Sequence, residues 1–241
     1  MTLILDMFEG SISRLTLEEL TVATQLPRST VHRILDQLIQ LDWIRRGASG
    51  YRLGKRAMIF GDRYNAQAQI RAAASPLLHE LQVQTGKVVH LSVLDGGDII
   101  YLDKIGGRLA AAMQSQVGGR APAHSTAGGK AMLAWLPPER IDSLYNNGLK
   151  RRTDRTISDL TVLHLELNRI RRRYGLAFDQ GEAMPGIACV GAAIRISDDP
   201  VAGISLSVGE GEGNLERFAP LVMAASGEAS RALASNAKQI H

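Results

Sequence analysis

An α+β protein in two parts is what this sequence predicts, and three observations carry the prediction. Short amphipathic helical segments over residues 16–40 lead into a basic hairpin, and a helical stretch with a partial apolar face follows. From residue 72 onward, apolar strand-like runs alternate with helical ones without an internal repeat. We set the boundaries at 1–56 for the first domain, 57–71 for a linker helix and 72–241 for the second domain. The 241 residues, 45% hydrophobic and 22% charged, suit two ordinary globular domains.

The first helix begins at Leu17. Thr16 with Glu19 three residues on has the form of a capping box, each side chain satisfying a backbone donor of the other. Pro27 suits the first position of the second helix, where a missing N–H costs nothing. The apolar residues of that helix, Val31, Ile34, Leu35 and Leu38, form a stripe that must pack on something. Its other face carries Arg28, Ser29, Thr30, His32, Arg33, Gln37 and Gln40, side chains able to bond phosphate oxygens or base edges. Two short helices joined by a tight turn, the second basic and rich in hydroxyls, are the layout of a DNA-reading helix-turn-helix.

Trp43 to Arg46, the Gly-Ala-Ser-Gly turn and Tyr51 to Leu53 then read as a hairpin, a wing beside the helices. Arg45, Arg46, Arg52, Lys55 and Arg56 are placed to run along a sugar-phosphate backbone. Charge is concentrated here. Residues 28–56 hold seven Lys or Arg against two acids, whereas the whole chain has a net charge of only +4.

Ala57 to Arg71 reads as the linker helix, a segment also suited to dimerisation. In the second domain, Ser75 to Gln84 reads as a helix ended by Gly86. Val88 to Leu94 and Ile99 to Ile105 are strands about the Asp95-Gly96-Gly97-Asp98 turn, and Leu109 to Gln114 is a further strand. Helices are expected at Thr126 to Leu136, Pro138 to Tyr145 and Asp159 to Tyr174. Strands follow at Leu176 to Gln180, Ala188 to Ile196 and Val201 to Val208, then a last helix from Leu215 to Leu233. The sheet is expected to be largely antiparallel.

Several function classes fall away. The single cysteine, Cys189, excludes an intrachain disulfide framework. No apolar run reaches about 18 residues and the first residues show no basic segment with a cleavage site, so a cytoplasmic protein with no membrane partner is expected. A Gly-x-Ser-x-Gly elbow is absent. Gly128-Gly129-Lys130-Ala131 fails as a phosphate loop, since His124 stands where its first Gly belongs and Ala131 where Ser or Thr belongs. Gly209 to Gly213 is an acidic loop rather than a dinucleotide fingerprint. The six histidines show no His-x-x-x-His spacing. No catalytic residue, metal site or cofactor is expected.

Five landmarks in order resemble the IclR family of bacterial transcription regulators over essentially the whole chain. They are Leu26 to Leu35, Gly50 to Gly54, Val89 to Tyr101, Ala123 to Ala131, and Asp179 to Glu182 followed by Pro185 to Cys189. The resemblance implies a winged helix-turn-helix, a linker helix and a GAF-like domain that binds a small effector. It also implies homodimers or homotetramers on a double-stranded operator, and effector contacts at Ala127, Gly128, Asp179, Ile187, Cys189, Ser205 and Ser207. Physically, Ala127-Gly128-Gly129 opens a helix whose free N–H groups suit a carboxylate, unless Ser125 or Thr126 caps it. Ser205 and Ser207 share one face of a strand and either meet the ligand or bond their neighbours. Asp179 accepts from a ligand hydroxyl, or else caps a turn or pairs with one of Arg171 to Arg173. Cys189 reads as a small hydrophobe without a nucleophilic role. Leu109, Met113 and Met132 are candidates for the apolar wall. Gln25 and Asp42 stand where the family usually has Gly, so each must take the backbone angle its turn requires.

The expectation is thus a ligand-responsive regulator, a repressor of a catabolic operon sensing a small carboxylate. The alternative is a sensory protein-interaction module without specific DNA binding.

Overall fold

The computed structural model describes residues 2–8, 14–212 and 214–239. The chain divides into two compact units, Met1–Gln67 and Ala68–His241.

The first unit holds α1 (Thr2–Asp6), α2 (Leu17–Thr24), α3 (Arg28–Gln40), β1 (Ile44–Gly47) and β2 (Gly50–Leu53). The capping box forms. The Glu19 amide donates to Thr16 Oγ1 at 3.2 Å, and the Thr16 amide donates to Glu19 Oε2 at 2.7 Å. Gln25 closes α2 at φ 55° and Asp42 follows α3 at φ 58°, so both take the left-handed angle their turns demand. Pro27 is the N-cap of α3 rather than its first residue, which shifts the expected start by one position. The core gathers Ile4, Phe8, Leu20, Val31, Leu35, Leu38, Ile44 and Tyr51, with Ile34 packed against it, so the α3 stripe is buried against the other helices and the wing. Leu15 and Tyr51 exchange backbone hydrogen bonds of 3.0 and 2.7 Å, adding a bridge to the hairpin.

One helix, α4 (Lys55–Thr85), occupies the stretch where the sequence predicts two. Ser75-Pro76 reads as a helix start because Ser caps and Pro fits a first turn. The helix nonetheless runs on, since Ile70, Ala74, Leu78 and Leu81 make one buried stripe across Pro76.

The second unit is built on an antiparallel sheet of order β5-β4-β3-β8-β7-β6. Its strands are β3 (Val88–Asp95), β4 (Asp98–Ile105), β5 (Arg120–Pro122), β6 (Ala177–Gln180), β7 (Ile187–Ile196) and β8 (Asp199–Gly209). Its helices are α5 (Arg108–Ala112), α6 (Ala127–Leu133), α7 (Pro138–Leu144), α8 (Leu160–Arg172) and α9 (Ala219–Gln239). The strand expected at Leu109 to Gln114 is not one. Leu109-Ala-Ala-Ala favours helix, and α5 forms there, while β5, which the sequence did not reveal, pairs with β4.

Alternation divides the sheet. Leu91, Val190, Ala192, Ile204 and Leu206 face one side with Leu78, Val222 and Ala229 of α4 and α9. On the other side α6 lies nearly in backbone contact with the sheet. A Cβ on Gly191 would stand 2.8 Å from the Gly128 nitrogen, and one on Gly203 would stand 2.8 Å from the Gly128 oxygen. Among the described residues no helix is long and apolar enough to cross a membrane.

Candidate functional site

In the first unit, burying the α3 stripe turns its polar face outward. Arg28, Ser29, His32 and Arg33 are exposed and Thr30 is half-buried. The single acid of α3, Asp36, is engaged by His32, whose Nδ1 lies 3.0 Å from Asp36 Oδ2. On the wing, Arg45 and Arg52 stand directly opposite each other, and Arg46 is exposed nearer the turn. Like charges facing across a hairpin are unfavourable unless a polyanion lies between or beside them. The side chains of Arg28, Arg33, Arg45, Arg46 and Arg52 make no ion pair or hydrogen bond among the described residues. Arg56 instead stacks over Trp43, 5.7 Å from its ring centre, with Phe60 beside that ring.

In the second unit, strand register assembles polar side chains on the α6 face of the sheet. Asp179, Cys189 and Ser207 are consecutive partners across β6, β7 and β8, and His90 pairs with Ser205 across β3 and β8. Paired residues share a face, so these groups line one cavity of about 100 Å³ together with Ala127, Ile187, Tyr101 and Met113. Residues from all six strands, α6 and the segment after α5 meet there. A larger groove, about 640 Å³, lies on the opposite face around Phe178, Ala188 and Val208 and holds none of the expected effector contacts.

Some of the cavity's polar groups are satisfied internally. Cys189 Sγ and Ser207 Oγ lie 3.1 Å apart, and His90 Nε2 is 2.9 Å from Ser115 Oγ. Asp179 Oδ1 accepts from the Glu182 amide at 2.6 Å, which is the turn-capping role. By contrast, the hydroxyls of Ser205 and Tyr101 have no hydrogen-bond partner among the described residues. Beneath the cavity the buried Lys130 ammonium is hydrogen-bonded to Glu182.

Desolvation dominates the electrostatics. Burial pushes the Asp179 carboxyl up to about 6, with the Glu182 amide and the Lys130 charge opposing it. Burial likewise moves Glu182 up to about 7 against Lys130, and His90 down to about 3, so His90 is neutral at physiological pH. Burial also raises the Cys189 thiol well above its ordinary range, which makes it a poor nucleophile.

The structure brings together six of the seven expected effector residues: Ala127, Asp179, Ile187, Cys189, Ser205 and Ser207. Gly128 does not line the cavity, because its backbone is pressed between Gly191 and Gly203. The Thr126 hydroxyl caps α6, accepting from the Gly129 amide at 3.1 Å, which satisfies one of the donors at the helix start. Met113 lines the cavity, Leu109 packs beside Ala127, Ile187 and Cys189, and Met132 belongs to a separate core. Sequence reasoning missed His90, Tyr101 and Arg152. The first two lie in strand runs that read as core, and Arg152 lies in a Lys-Arg-Arg run that reads as solvated charge; only the alternation of β3 and β4 signalled the shared face.

Comparison with known proteins places the chain among its relatives. A family model described as bacterial transcriptional regulator IclR C-terminal matches residues 63–233, and one for the IclR helix-turn-helix domain matches residues 2–48. The HTH-type transcriptional regulator XynR of Escherichia coli is 32% identical over 208 residues, covering 85% of this chain and 82% of that protein. The acetate operon repressor of Salmonella typhimurium is 32% identical over 212 residues, covering 85% and 76%. The crystal structure of the Thermotoga maritima IclR superposes with a TM-score of 0.67 at 29% identity, covering 96% of each chain. With an exposed basic helix and wing in one unit and a polar cavity in the other, the chain belongs to the IclR family of DNA-binding transcriptional regulators, which are not enzymes.

Proposed function

We propose that this protein represses a catabolic operon and is released or repositioned by a small carboxylate bound in the sheet cavity. Within that reading, residues 1–56 are the DNA-binding domain, 57–71 the linker and 72–241 the effector and oligomerisation domain. Arg28, Ser29, Thr30, His32 and Arg33 enter the major groove, while Arg45, Arg46 and Arg52 follow the phosphate backbone. Ala127, Asp179, Ile187, Cys189, Ser205 and Ser207 contact the effector.

The observation that carries the effector reading is the cavity itself. It is small, it is lined by a polar ladder, and it holds the Ser205 and Tyr101 hydroxyls without partners among the described residues. Unpaired polar groups on a cavity wall favour a ligand that supplies the missing bonds. The operon reading is supported by similarity to a relative named as an operon repressor. Two copies of α3 are needed to read two half-sites, and the exposed Met58, Ile59 and Phe60 on α4 supply apolar surface for a homodimer or homotetramer.

The test is selection of binding sites from a random duplex pool, followed by competition of the selected duplex with small carboxylates. Enrichment of one two-fold-related sequence, with the complex dissociated or altered by a carboxylate, is the expected result. Enrichment of no sequence favours the protein-interaction alternative, and a complex indifferent to every carboxylate removes the proposed effector class.

A further inference from the structure

We propose that Arg152 recognises the negatively charged end of the effector, so that the cavity selects anions through a guanidinium at its opening. The inference rests on reading this cavity as the effector site.

Arg152 lines the cavity while remaining exposed, and its guanidinium has no ion pair or hydrogen bond among the described residues. The neighbouring cations are committed elsewhere. Arg120, also at the cavity wall, binds Asp95 and Asp98; Lys130 binds Glu182; Lys104 donates to the carbonyls of Met113 and Ser115. The start of α6 carries no full charge: Thr126 Oγ1 takes the Gly129 amide there, and the amides before it can add hydrogen bonds to an anion that a cation holds. Among the described side chains, an anion entering this cavity therefore meets one uncommitted positive charge, that of Arg152.

That charge is held on a fixed support. The Arg152 amide donates to Thr156 Oγ1 at 3.0 Å, and Thr156 Oγ1 in turn donates to the Glu182 carbonyl at 2.6 Å. Thr153 Oγ1 donates to the Gly181 carbonyl at 2.7 Å. The loop bearing Arg152 is thereby tied to the turn capped by Asp179. The Arg152 charge is also felt at the Tyr101 hydroxyl, where it opposes the effect of burial. A carboxylate drawn out of water needs a charged, hydrogen-bonding partner, and a planar guanidinium offers two parallel donors to its two oxygens.

The experiment is titration calorimetry on the full-length protein with aliphatic, hydroxylated and aromatic carboxylates of about two to seven carbons, each paired with its neutral primary amide. The expected result is that at least one acid binds, and that its amide binds at least about tenfold more weakly. Arg152→Gln is expected to weaken the acid by about tenfold or more and to close the gap between acid and amide, with Arg152→Lys restoring part of it. Ser205→Ala probes the cavity itself and is expected to weaken binding of the acid.

Acid binding reduced by Ser205→Ala but unchanged by Arg152→Gln would overturn the role of Arg152 and leave the cavity reading standing. Acid binding indifferent to both variants overturns the cavity reading as well. A series in which no acid binds, or only the amides do, also overturns anion selection by Arg152.

Discussion

On α3 and the wing, five arginines stand exposed without partners among the described residues, while in the sheet cavity Asp179, Cys189, Ser207 and His90 are each hydrogen-bonded within their own unit. The first arrangement leaves charge for a large, ionic partner and costs little in stability, because the side chains stay in water. The second has already desolvated its polar groups and leaves only a few open valences. A partner of the first surface is held mainly by charge and is sensitive to salt. A ligand of the cavity is held by shape and matched hydrogen bonds, with a single ionic contact at its opening, and is less so.

The largest expected effect comes from breaking the support of one unit. Leu35→Ala removes a fully buried side chain behind the basic face of α3 and should destabilise the first unit by about 2–5 kcal/mol, read as a lowered denaturation midpoint with loss of DNA binding. Next is Gly203→Ala, whose Cβ would lie 2.8 Å from the Gly128 carbonyl oxygen. Pushing α6 off the sheet should cost the second unit about 1–3 kcal/mol and disturb ligand binding at the cavity, measured by calorimetry.

Arg33→Ala, on an exposed residue, should leave stability within about 0.5 kcal/mol of wild type and weaken operator binding by about 1–3 kcal/mol if Arg33 reads a base. A sequence-blind loss with a shallower salt slope would assign it to phosphate instead. Arg52→Ala sharpens the contrast, because removing one of two facing charges should raise stability by about 0.2–1 kcal/mol while lowering DNA affinity.

The subtlest effect is one of pH. The Asp179 carboxyl, at about 6 in the folded protein, lies above its ordinary value of about 4, so the folded state holds that proton more tightly. Its contribution to stability is full below about pH 4 and is lost as pH rises through about 6. Chemical denaturation of wild type and Asp179→Asn should therefore show wild type gaining on the variant as pH falls from about 7 to about 4.5. Parallel curves would mean that the carboxyl is not shifted.

What could be read from sequence tracks how local the determinants are. The Thr16–Glu19 cap, the α3 stripe, the wing and the Asp95–Asp98 turn depend on residues close in the chain, and the Gln25 and Asp42 angles follow from the turns that hold them. The break expected near Ser75-Pro76 disappears because packing of Ile70, Ala74, Leu78 and Leu81 outweighs a local start signal. The strand expected at Leu109 becomes α5 because Leu109-Ala-Ala-Ala favours helix and β5 takes the edge of β4. Resemblance to the family named six residues of the cavity wall. Tyr101, His90 and Arg152 were illegible because pairings between residues far apart in the chain bring them to one face.

The most direct test of the account is fluorescence-anisotropy titration of the full-length protein with DNA from upstream of its own coding region, against a scrambled duplex of equal length, over a salt series. A preference of roughly a thousandfold or more at physiological salt is expected, with affinity falling steeply as salt rises. Equal binding to the two duplexes across the series would contradict a sequence-reading role for α3.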